Sequence, residues 1–113
     1  MNNAAHRNEI AAALSTVPGV TGYPRRPTAV KAGDAWPLWR GAERSDGFTF
    51  VQTFAVIVAL PGDEAQADTN ADTAAEPLAE ALEPILFVES ITPATVGTSE
   101  GDMNALMITG RVE

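Results

Sequence analysis

A chain of 113 residues with 15 acidic side chains, seven basic ones, a single histidine and no cysteine carries a formal charge of −8 at pH 7. Without cysteine there is no disulfide scaffold, thiolate zinc site or thiol nucleophile, and with acids in such excess a partner held mainly through its phosphates is excluded. The length fits one domain with a modest core.

No apolar run approaches the roughly 20 residues that cross a bilayer; the longest, residues 54–60, is FAVIVAL. Residues 1–7 are polar and do not lead into an apolar signal core, so an unsecreted, soluble protein without a membrane partner is expected. In chain order, Asn2 or Asn3 is a candidate helix cap, after which Ile10, Leu14 and Val17 fall at i, i+4 and i+7 until Pro18 and Gly19 end the run. Residues 20–27 are short, basic and proline-rich, which reads as a brief strand or connector.

The AWPLWR segment at 35–40 reads as an edge strand, because Pro37 lacks the donor a central strand needs. Turn chemistry over residues 41–47 then predicts a hairpin. Its second arm, residues 48–60, sets Phe48, Phe50, Phe54, Val56, Val58 and Leu60 on one face and Val51, Ala55, Ile57 and Ala59 on the other. That pattern is a long strand buried on both sides toward its end.

Residues 63–82 are alanine-rich and place Ala67, Ala71, Ala74, Ala75, Leu78 and Leu82 on a helical stripe. Pro77 within it predicts either a kink or a fresh helical start. Residues 85–96, split by Pro93, and residues 103–112 read as two closing strands around a loop at 97–102. The expected fold is α+β: an N-terminal helix and a mainly antiparallel sheet of four to five strands with a second helix packed on it, in the order α-(β)-β-β-α-β-β.

Chemistry-bearing residues are sparse. His6 lies in a polar segment and reads as an exposed helix residue, and Ser15, Ser45, Ser90 and Ser99 have no neighbouring base or nucleophile elbow. No catalytic residue, cofactor or metal is expected. Glu64, Asp68, Asp72, Glu76 and Glu80 stand at four-residue spacing, and on an unbroken helix each step turns about 40°, so they form an acidic ribbon. Three readings fit it: a solvated helix face, a carboxylate site for a hard cation, or a surface that repels DNA phosphates inside a channel. Trp36, Trp39 and Arg40, with Arg25, Arg26 and Arg44, have the composition of an interface hot spot, with Trp39 as its anchor, or of core plus rim.

Charge is also unevenly distributed along the chain. Residues 1–44 hold six basic and three acidic residues, whereas residues 45–113 hold one basic and twelve acidic ones. Such a chain suits copies joined front to back, positive surface on negative; it equally suits a small acidic protein that stays soluble.

The TVPGV helix end, the DAWPLW segment, the FTFVQTFAVIVALPGD strand running into an alanine-rich acidic helix, and the closing ALMITGRVE together resemble the tail terminator (tail completion) proteins of long-tailed bacteriophages, over nearly the whole chain. The resemblance implies a structural virion protein. Its protomers would close into a ring, typically a hexamer, on the last ring of tail-tube protein, end tube polymerisation and present the surface that joins the head-tail connector. Genomic DNA would pass the lumen without specific binding, the protein would act at the tail-neck junction after assembly in the host cytoplasm, and the acidic ribbon would line or flank the lumen. A head-tail connector or stopper of the phage neck is the nearest alternative. From another class, the alternative is a small bacterial ligand-binding or regulatory domain with its pocket beside Trp36 and Trp39.

Overall fold

A computed structural model describes residues 3–45, 47 and 49–112, without the Glu64 side chain; the expected cap Asn2 and face residue Phe48 lie outside the described residues. The elements are α1 (Asn3–Leu14), β1 (Thr21–Gly22), β2 (Asp34–Ser45), β3 (Thr49–Ala59), α2 (Glu64–Leu82), β4 (Phe87–Thr98) and β5 (Gly101–Val112). They form the expected α+β architecture in the expected order. The five-stranded sheet runs β1-β2-β3-β5-β4, with β1 parallel to β2 and every other pair antiparallel. β5 therefore returns between β3 and β4, and α2 carries the chain across from one to the other.

Both helices lie on one face of the sheet, α1 over β1 and β2 and α2 over β4 and β5. Ile10, Leu14 and Val17 from the first helical run, with Leu78 and Leu82 from α2, close over Phe54, Val56, Val58, Leu106 and Ile108. The opposite face holds a smaller cluster of Trp36, Ile57, Val96 and Ala105, covered at one end of the sheet by Tyr23 and Val30 from the strap between β1 and β2. This two-sided cover explains why β3 is buried at every position from Phe54 to Ala59.

Several boundaries differ from the sequence expectation. Helix α1 stops at Leu14, four residues before Pro18, and continues as tight turns in which Ser15, Thr16 and Val17 donate to Ala11, Ala13 and Leu14. Asn3 is its first helical residue, so the cap is not Asn3. The expected loop 41–47 is instead mostly strand, since β2 stays paired with β3 out to Ser45 and Thr49. Likewise the expected loop 97–102 shrinks to residues 99–100, with Thr98 still paired to Gly101. In both hairpins, pairing between the backbones carries on through polar residues that have no apolar alternation to signal it.

α2 starts on a capping box in which the Asp63 carboxylate accepts from the Gln66 N–H, and the Gln66 side chain accepts from the Asp63 N–H. It runs unbroken for 19 residues with Pro77 inside it. A proline there supplies no N–H to the carbonyl of Thr73, and its exposed position means that no core packing offsets this. Pro77→Ala is expected to stabilise the protein by about 2 kcal/mol, the helix gain less the extra freedom of the unfolded chain, read as a higher urea midpoint at unchanged slope.

Candidate functional site

Two hairpins project from opposite ends of the sheet. The β3–β5 register ends at Gln52 with Val112, so the rows Glu43–Val51, Arg44–Phe50 and Ser45–Thr49 of β2 and β3 extend past it. At the far end, β4 and β5 pair for four rows beyond Ala59, out to Thr98 and Gly101. The molecule is accordingly long, 46 × 27 × 21 Å.

The structure separates the tryptophans and arginines that the sequence suggested as one patch. Trp36 pairs across from Ile57 and is 1% exposed, beneath the strap, with the Arg26 guanidinium 5.6 Å over its ring. Trp39 pairs across from Phe54, which faces the helices, so it lies on the other side of the sheet. It is 44% exposed and donates from Nε1 to Gln52 Oε1 at 3.2 Å. Residues three apart on a strand face opposite ways, and a single pocket beside both tryptophans is therefore not formed. Arg26 crosses the sheet to donate to the Gly97 carbonyl of β4. Arg44 stacks on Phe50 at 4.8 Å at the hairpin tip, while Arg40 occupies a bulge between Trp39 and Gly41. Arg25 is exposed in the strap.

Asp68, Asp72, Glu76 and Glu80 are all exposed along α2, as a ribbon requires; the fifth member, Glu64, has no described side chain. Among the described residues no three His, Asp or Glu side chains converge as a metal site. His6 is half-buried rather than exposed, its ring edge-on to Phe54 with centroids 6.2 Å apart. The Ser15 hydroxyl accepts from the Gly22 N–H and so serves structure. Between α2 and β4 a groove of about 720 Å³ is lined by Ala65, Ala67, Ala71, Pro93 and Ala94, with Asp68 on its rim. Its polar lining is Asp68, Thr95 and Asn104. No described helix is long and apolar enough to cross a membrane.

Both edges of the sheet are partly capped by arginine. Arg7 of α1 donates from Nη1 to the carbonyls of Pro24 at 3.1 Å and Pro37 at 3.0 Å; burial, and then the charge of Arg25, lower its pKa. Arg26 does the same for Gly97 on β4. The remaining stretches of both edges lie toward the β2–β3 hairpin. There the described residues show their exposed large apolar side chains: Leu38, Trp39, Phe50 and Phe87, the last 66% exposed.

Charge separates across the sheet, from one edge to the other. Arg7, Arg40 and Arg44 stand on the β1–β2 side, and the α2 acids with Glu83 and Glu89 stand on the β4 side, where Arg111 pairs with Glu89 at 3.3 Å. Phe87 and Glu89 were not among the residues singled out from the sequence. Plain alternation along FVESITP puts Phe87 and Ile91 on one face, but a bulge between Val88 and Ser90 turns Ile91 to the core and Phe87 outward over Arg111, 5.3 Å away.

No family model matches the chain, and no curated protein matches it.

Proposed function

We propose that this protein is a structural assembly unit whose copies close into a ring, and that the ring is a phage tail terminator. It caps the tail tube, ends its polymerisation and provides the surface for head-tail joining. The observation that carries the self-assembly part is the sorting of opposite charge to opposite edges of one sheet. A surface of that kind is complementary to a second copy in head-to-tail order, the arrangement that generates rings when its rotation closes.

The phage assignment rests on the resemblance of the DAWPLW, FTFVQTFAVIVALPGD and ALMITGRVE segments. The α+β fold is the one that resemblance implies. In this reading the exposed acids of α2 face the lumen side, where like charge keeps DNA from adhering as it passes. The α2 helix accepts like-charge neighbours at i, i+4, each at a cost of a few tenths of a kcal/mol.

The test is to mix the purified protein with polymerising tail-tube subunits of its virus and image the products by electron microscopy. The expected result is tubes of fixed length with a ring on one end. Tubes that grow uncapped while the protein stays free overturn the terminator reading. Binding to the portal-side connector under the same conditions would identify a neck stopper instead.

A further inference from the structure

We infer that two copies of this chain join edge to edge, residues 87–91 of β4 in one copy adding as an antiparallel strand to residues 38–44 of β2 in the next. The inference rests on the self-assembly reading above and names the seam.

Backbone direction comes first. Pro37 and Pro93 have no N–H to give, so each sits where the strand's donors point away from its sheet neighbour. By alternation the same holds for Ala35 and Trp39 on β2 and for Ile91 and Gly97 on β4. Two observed bonds agree: Tyr23 donates to the Ala35 carbonyl, and Arg26 to that of Gly97. On β2 the outward groups are therefore taken by β1 and, at Pro37, by Arg7. On β4 they are interrupted by Pro93 and taken at Gly97. What remains for a new strand is 38–44 on one edge and 87–91 on the other, both toward the β2–β3 hairpin. Exposed strand edges of this kind are templates for pairing.

Orientation follows from topology. β2, β3, β5 and β4 alternate strictly, so β2 and β4 run in opposite directions. A copy added by a head-to-tail operation thus continues the antiparallel order and keeps all helices on one face. Closure with tilted strands requires a stagger, which slides 87–91 down beside the projecting part of β2.

Charge then selects among three possible joins. β4 against β4 faces Glu89 with Glu89, backed by Glu80 and Glu83; β2 against β2 faces Arg40 and Arg44 with their own copies. β2 against β4 sets the net positive stretch of Arg40, Glu43 and Arg44 against a net negative one, in which Glu83 stands beside the Glu89–Arg111 pair. Like-charge juxtaposition suppresses the other two joins. The chosen join also covers Leu38 and Trp39 on one copy and Phe87 on the other, three of the exposed apolar side chains.

A charge-swap experiment tests this with four exposed residues. One variant carries Arg40→Glu and Arg44→Glu, the other Glu89→Lys and Ser90→Lys, and unchanged circular dichroism and melting confirm that both fold. Assembly is read by sedimentation at low ionic strength, where exposed charges are least screened, and by ring counts on tube ends. The expected result is loss of oligomers and rings for each variant alone and their recovery when the two are mixed in equal amounts. Either variant assembling alone like the unsubstituted protein, or a mixture that stays dissociated, overturns the seam and leaves ring formation standing. An unsubstituted protein that remains monomeric both in solution and on tubes overturns the seam and the ring together.

Discussion

Phe54→Ala is expected to destabilise the protein by about 3–5 kcal/mol, the range for emptying a fully enclosed aromatic site. Phe54 is 0% exposed, packs with Ile10, Leu14 and the α2 leucines, and receives the His6 ring on its edge. Its removal leaves a cavity where α1 meets the sheet, and a domain of this size has only about 5–15 kcal/mol in total. The check is urea denaturation followed by tryptophan fluorescence: the midpoint falls by roughly a fifth or more of its value while the slope holds. Phe50→Ala, on the same face of the same strand, is the contrast. Phe50 is 38% exposed on the projecting hairpin under Arg44, so its loss is expected to stay below about 1 kcal/mol. Equal losses at the two sites would contradict the burial of Phe54 and the exposure of Phe50.

Gly22→Ala is expected to cost about 3 kcal/mol or more and to change how the protein associates. A Cβ at Gly22 would stand 2.1 Å from the Ala11 carbonyl oxygen and 2.9 Å from Leu14 Cβ. The first of these is backbone inside a helix, which cannot swing aside as a side-chain tip does, so α1 and β1 must separate. The Ser15 acceptor for the Gly22 N–H and the strand pairing of β1 with Asp34 and Ala35 are then lost together. Because β1 and Arg7 are what occupy the upper edge of β2, the variant exposes that edge along its whole length. Time-dependent aggregation with rising β-sheet signal is expected alongside the lower melting temperature. A variant that melts lower but stays as well-behaved in sedimentation as the unsubstituted protein would remove β1 from the role of edge guard.

The two cases show where sequence reasoning stops. The repeat of phenylalanines in FTFVQTF reads identically at Phe50 and Phe54, since a period of two reports a face and not a depth. Depth came from the helices, which reach Phe54 and not the hairpin tip. The tryptophans behave alike: spacing separates Trp36 from Trp39 by face, but only the strap from residues 23–33 makes Trp36 the buried one.

What the sequence by itself determined is the set of elements, their order and the α+β class. Those depend on local periodicity, on the Asp63 cap and on proline and glycine placement, all of which act within a few residues. It also determined that opposite charges occupy different halves of the chain. Only the tertiary structure decided where those halves go, by inserting β5 between β3 and β4 and so carrying the acidic α2 and β4 to the edge away from β2. It likewise decided the bulges at Arg40 and near Glu89, each of which reverses the faces of the residues beyond it. A bulge is a mismatch between two paired strands, and neither strand alone contains the register that creates it.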